Sequence, residues 1–295
     1  MQLAVLSTDQ VAAIATSGVA ALSTTQAVSL STTQVVALTT GQVGALSTAA
    51  VSNLTTTQVV AMETQDFAAL KTSQIAALTT MQAVKLTTDQ VASLTTAQSG
   101  ALTTTAVSNL TTTQIAAVET ADFAALKTAA VAALTTTQVA SLTTDQVAVL
   151  TSGVVAALTT MQVVKLSTDQ IVALNTTSTA ALSTTTISNL TTTQVAAMET
   201  QDVAVLKTSQ VAALSTMQLV VLSTDQVAAI STAGVAALST TQAVKLTTDQ
   251  VVALTTGQTG ALSTAAVSNL TTTQVAAMET QDVAALKSSQ VAALS

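Results

Sequence analysis

The chain has 295 residues with no Cys, His, Pro, Trp or Tyr; its seven basic residues are all Lys, its acidic residues number fourteen, and the net charge is −7. Aromatic residues at 1% and charged residues at 7% lie far from ordinary globular usage, while 49% hydrophobic content argues against disorder. The inventory excludes imidazole chemistry, disulfides and Cys-ligated metals, and a pI near 4.2 disfavours phosphate backbones as partners.

The N-terminal stretch MQLAVLSTDQ has neither a basic start nor an apolar run of signal-peptide length. Apolar runs such as 154–158 are broken every few residues, far short of the roughly 20 residues that span a bilayer. Neither nucleic-acid binding nor membrane insertion is therefore expected.

From Leu6 onward a Leu-like residue recurs every eighth position, through Ile14, Leu22, Leu30 and on to Leu294, which makes 37 steps without a slip. Lettered from that residue, the octad reads L-[ST]-T-x-Q-V-A-A over positions a to h. One long helix does not accommodate it: at about 100° per residue, eight residues leave the Leu stripe about 80° further round with each repeat. The Thr pairs also disfavour a helix interior.

They suit a helix start instead. In the first full octad, Ser7 and Gln10 have capping-box spacing, and Leu6 and Val11 that of a hydrophobic staple. Asp9 falls in the first turn, where the helix dipole favours negative charge, as do Asp89, Asp145, Asp169, Asp225 and Asp249. The register predicts a helix of barely two turns from Thr8 to about Ala13, with Ile14 opening the next unit. Such a helix is too short to stand alone, so neighbouring units must hold it. Positions a, f and g are expected inside, with g kept small by close backbone approach. Position d and much of b are expected outside, and h, which accepts Lys85, Asn53 and Ser93, at the solvent border.

One pattern resists this register. Position c is Thr in nearly every octad, whereas b, the expected cap, accepts Ala15, Glu63 and Lys71. An ammonium has no acceptor, so either Thr at c caps those helices or its hydroxyl bonds a neighbouring coil. The fold class expected is an all-α solenoid of very short capped helices built from 37 octapeptide steps; the alternative is a β-solenoid with Thr ladders. No linker, charge run or Gly-rich break interrupts residues 1–295, which read as a single continuous array.

Further along, VSNLTTTQ begins at Val51 and Val107, again with Ile at position 187, and at Val267. The first interval is three octads shorter than the two that follow, which hints at three octads per structural step, although recent duplication explains the spacing equally well. A charged stretch, METQDFAALK, covers 62–71 and recurs with variation at 118–127, 198–207 and 278–287. Glu63 and Asp66 are spaced to meet a hard cation, but two carboxylates followed by a Lys fit a surface ion network better. Phe67 and Phe123, where sister copies carry Val203 and Val283, read as core filling. The sequons at Asn53, Asn109, Asn175, Asn189 and Asn269 read as spacing inherited with the repeat. Serine nucleophiles lack an activating base, and the lysines occupy solvent positions unsuited to a catalytic amine. No catalytic, cofactor-binding or metal-binding residue is assigned, no cofactor is expected, and the chain is read as a non-enzyme.

Across essentially its whole length, the L-[ST]-T-x-Q-V-A-A array resembles the Thr/Ala/Val/Gln-rich arrays of very large, adhesin-like bacterial secreted and surface proteins. The resemblance implies an extracellular or cell-surface structural role and carries no functional residue over. The expected function is a structural spacer, stalk or surface scaffold of a larger protein. A Thr array that binds ice or a repetitive polysaccharide is the alternative. Position d at Met1 and position b at Ser295 are both within consensus, without visible caps. The partners expected are therefore flanking repeats or further copies stacked end to end into filaments.

Overall fold

The computed structural model describes residues 2–294 and is helical throughout: after a 3₁₀ turn at Leu3–Val5 come thirty-six α-helices of four to six residues, from Thr8–Ala12 to Ser288–Val291, with no strand among the described residues. The fold is an all-α solenoid, and the β-solenoid alternative is set aside. The octad pattern explains the choice. Ser or Thr at b caps the helix, Gln at e answers the cap, and Ala follows in the last turn, so local chemistry closes a helix before a strand can extend.

Each helix starts at c, with b as N-cap in extended geometry, and ends at f, g or h, the following residue serving as C-cap. At Thr87 the cap has φ −71° and ψ 159°, and its hydroxyl accepts from the Gln90 amide at 3.0 Å. The chain then leaves through a in extended geometry, as at Leu46 with φ −53° and ψ 141°. Two extended residues therefore make every corner, and no described residue needs positive φ.

The chain divides into two compact units, 1–146 and 147–295, the dividing point falling between e and f of one octad, Gln146 and Val147. Within each unit every helix packs on the helix three further along. In the first unit Thr16–Ala20 lies against Thr40–Ala45, which lies against Thr64–Ala68, then Thr88–Ala92, Thr112–Ala117 and Thr136–Ala140. In the second, Ser152–Ala157 begins a like column through Thr176–Thr179, Thr200–Ala204, Thr224–Ala229, Thr248–Val252 and Thr272–Ala277. One coil is thus three helices and three octads, the step hinted at by the unequal intervals between the VSNLTTTQ copies.

The core of each unit is built from a, e and f. Leu38, Val43, Leu86 and Val91 are buried in the first unit, as are Leu190, Val195, Leu222 and Val227 in the second. Each such side chain contributes about 1.5–3 kcal/mol of transfer free energy, which offsets the poor intrinsic stability of five-residue helices. The staple expected between a and f is therefore also the core.

Position g departs from expectation. It lies at the surface, as Val28, Val36, Val172 and Val252 show with about two-fifths of their area exposed (39%, 41%, 42% and 41%). The reason is angular: at about 100° per residue, the direction midway between e and f leaves both d and g about 150° away. Close backbone approach does occur there, but in the outer groove. A Cβ on Gly44 would sit 3.2 Å from the Ala69 carbonyl oxygen of the next coil, and one on Gly100 would sit 3.2 Å from that of Ala125. Positions d and h face solvent as expected, with Met81, Met161 and Met217 exposed at d.

Candidate functional site

The residue that joins one coil to the next is the glutamine at e. Its placement at the third helical position turns Oε1 back onto the N-cap amide, the usual capping box. Its burial sends Nε2 across to the coil below. In the first unit, the Thr79 N–H donates to Gln82 Oε1 at 2.8 Å, while Gln82 Nε2 donates to the carbonyls of Val51 and Leu54, both at 2.8 Å. In the second, the Ser215 N–H donates to Gln218 Oε1 at 2.7 Å, and Gln218 Nε2 reaches Ile187 and Leu190, both at 2.8 Å. The offsets of 31 and 28 residues repeat at Gln42, Gln90, Gln146 and Gln250. Each buried amide is satisfied on both sides, which removes the penalty an unpaired buried polar group would carry.

Some octads replace the glutamine. Ser178 shares the cross-coil work with its N-cap: its hydroxyl donates to the Leu150 carbonyl at 2.6 Å, 28 residues back, while Asn175 Nδ2 donates to the carbonyls of Leu150 at 3.3 Å and Ala148 at 3.1 Å. Gly18 and Gly234 accompany the two isoleucines found at a, Ile14 and Ile230. A Cβ at Gly234 would lie 2.9 Å from Ile230 Cγ2 and 3.0 Å from Val211 Cγ2, so the β-branch takes the room a side chain needs.

In the METQDFAALK module the residue at e is aspartate. Asp66, Asp122, Asp202 and Asp282 are all buried, while Glu63 is exposed on the cap three residues earlier. The Glu63 carboxylate accepts from Gln65 Nε2 at 2.8 Å, and Glu279 accepts from Gln281 at 2.6 Å. Glu63 and Asp66 thus point to different environments rather than to a shared surface ligand. Among the described residues no group of three or more His, Cys, Asp or Glu side chains is placed to hold a metal ion.

Burial, assisted by the neighbouring Glu63 charge, raises the Asp66 carboxyl above its ordinary range. Burial also raises Asp202 to about 6, with Glu199 adding to the effect; hydrogen bonding from Thr179 and the Glu199 backbone opposes it. One carboxylate oxygen, Asp202 Oδ1, has no hydrogen-bond partner, and neither has Asp282 Oδ1. Below these two, at f of the preceding coil, stand Thr179 and Thr259, where most octads carry Val; Ser99 stands likewise below Asp122. The three pairs are copies of one duplicated module. Nothing in the residue pattern marks these aspartates as buried, because the Gln-to-Asp exchange at e is masked by their resemblance to surface acids.

The other singled-out residues take structural places. Phe67 and Phe123 are buried in the core, and all seven lysines are exposed. Asn53, Asn109, Asn189 and Asn269 are exposed, and each donates to the carbonyl four residues back in its own helix, at 2.8 Å. At Lys71 the helix still begins at the next residue, without a side-chain cap, and the Lys71 N–H donates to Gln74 Oε1 at 2.5 Å. The glutamine half of the box therefore suffices, and Thr at c is not the cap. Thr16 Cγ2 lies 3.7 Å from where a Gly41 Cβ would stand, so c borders the groove between stacked helices. Nothing in the structure explains why Thr in particular is kept there.

Short capped helices stacked three to a coil, latched by a buried glutamine amide at most corners, define a helical-repeat solenoid. The ALTTAQ repeat matches residues 11–48, 59–96, 115–152, 195–232 and 227–256, more than half of the chain in tandem copies. The chain belongs to the ALTTAQ repeat family. No curated protein and no solved structure matches it.

Proposed function

We propose that this chain is a non-catalytic spacer, stalk or surface scaffold within a larger secreted or cell-surface bacterial protein. The observation that carries the reading is the latch: the Gln82 and Gln218 geometries are the same in both units, so a coil is added without altering the coil beneath it. Reach then becomes a matter of copy number, at about 8–10 Å per coil, the usual spacing of packed helices. Further octads of the same kind are its natural partners. The likeness to adhesin-like arrays supports the extracellular setting.

Insertion of three octads within the first unit tests the mechanical part. Small-angle scattering is expected to show the maximum dimension growing by about 8–10 Å per inserted coil, and a dimension that stays constant would remove the spacer reading. Protease treatment of intact source cells tests the location: loss of the array with cytoplasmic markers spared supports surface display, and full protection opposes it. The Thr-array reading is less well supported, because b hydroxyls are engaged in caps, as Thr55 is with the Gln58 amide at 3.2 Å. Thermal hysteresis or glycan binding by the intact chain would reverse that preference.

A further inference from the structure

The corner at Asp202 differs from a glutamine corner in one chemical respect. Glutamine supplies an acceptor to its own N-cap and donors to two carbonyls of the coil below, as Gln218 does with Leu190 and Ile187. An ionised aspartate is acceptor-only. The carbonyl that a glutamine at 202 would serve belongs to Leu174, and Asp202 Oδ1 stands without a partner. A side chain shorter than glutamine does reach this kind of carbonyl, as Ser178 shows one coil earlier with its 2.6 Å bond to Leu150.

We propose that Asp202 is a proton-operated latch between coils: when neutral, its carboxyl donates to the Leu174 carbonyl and clamps the Thr200–Ala204 helix onto the coil containing Thr176–Thr179; when ionised, it gives up that bond. This inference is independent of the proposed function.

Hydrogen bonds from the Thr179 side chain and the Glu199 backbone favour the ionised form, but burial and the charges around the site favour the neutral one. The Thr176–Thr179 helix beneath carries no charged residue, and the Thr224–Ala229 helix above carries only Asp225, exposed at d. On its own helix the N-cap is Glu199, another acid, and Lys207 is exposed at the next corner. No cation on a packed helix stabilises the carboxylate. Burial accordingly lifts the group to about 6.

The sign follows from linkage. A carboxyl whose folded value exceeds its unfolded one contributes stability that is fully present below the unfolded value, about 3.9, and is lost as pH rises through the folded value. Going from pH 7.5 to pH 5, Asp202 should therefore lower the unfolding equilibrium constant about tenfold.

Urea unfolding of the full chain and of D202N at pH 5.0 and 7.5 tests this, since Asn keeps a neutral donor at both values. The ratio of wild-type to D202N unfolding constants should fall about tenfold on acidification. D202Q, carrying the residue most octads have, provides the same comparison should D202N fold poorly. A ratio that does not move with pH against either variant would overturn the proposal. So would stabilisation at fixed pH that appears with sodium and vanishes when tetramethylammonium replaces it at constant ionic strength, because the corner would then hold a metal cation rather than a proton.

Discussion

A single amide at e carries three hydrogen bonds that no other side chain in the octad reproduces. Gln250 shows the arrangement: the Thr247 N–H donates to it at 2.9 Å, and it donates to Leu219 and Leu222 at 2.8 and 2.7 Å. Replacing Gln250 by Ala leaves those groups unpaired in a buried corner. The expected loss is about 1–3 kcal/mol in urea unfolding, and a loss below a few tenths would mean that water serves the corner equally well. The glycine at 234 makes a second prediction at this scale. Gly234→Ala should destabilise despite Ala's better helix propensity, because the new methyl meets Ile230 Cγ2 and Val211 Cγ2. Adding Ile230→Leu should recover part of the loss; a purely additive double-mutant cycle would refute the steric coupling. The local half of the glutamine's work is legible in the residues, since capping-box spacing announces it. Its cross-coil half is not, because the partners lie more than three octads back along the chain and nothing at that distance differs from any other octad.

At the level of the helix, the cap is modular. Ser or Thr at b accepts from the amide at e, but where b is Lys the helix survives on the glutamine half alone. Lys207 illustrates this: its N–H donates to Gln210 Oε1 at 2.7 Å while its side chain accepts nothing. The Gln210 N–H donates to the Lys207 carbonyl at 2.9 Å instead, so Lys207→Ser should stabilise the chain by at most about 1 kcal/mol. No gain in urea midpoint would show that this carbonyl serves the Gln210 amide as well as a hydroxyl does. The start of each helix, its length and its staple can all be read from spacing because they depend on contacts within one octad. The face can be read only in part. Leu at a and Val at f read as inward and lie inside, but Ala at g is apolar without being inward. Composition does not distinguish an alanine chosen for the core from one kept small by a neighbouring carbonyl in the outer groove.

For the whole chain, the three columns of each unit obey one rule: every helix rests on the one three octads before it. That rule depends on the count of residues between octads, not on which octads they are. Removing one entire octad, residues 87–94, moves the Thr96–Ala101 helix from its place on Thr72–Ala76 to a place on Thr64–Ala68. Gln98 then faces the Met62 carbonyl in place of that of Leu70, which it now meets at 2.6 Å. Every class of contact is kept, so nearest-neighbour energetics predicts a single transition and helical circular dichroism per residue close to the parent's. Removing only residues 87–90 keeps more of the chain yet breaks the corner, taking out the Thr87 cap together with Gln90 and leaving the a–f core face misaligned. That variant should show a lower urea midpoint with a broadened or split transition. If the half-octad deletion proves as stable as the whole-octad one, coil-to-coil register is not what holds each unit together, and the stability must reside in the helices themselves, which at four to six residues their length forbids.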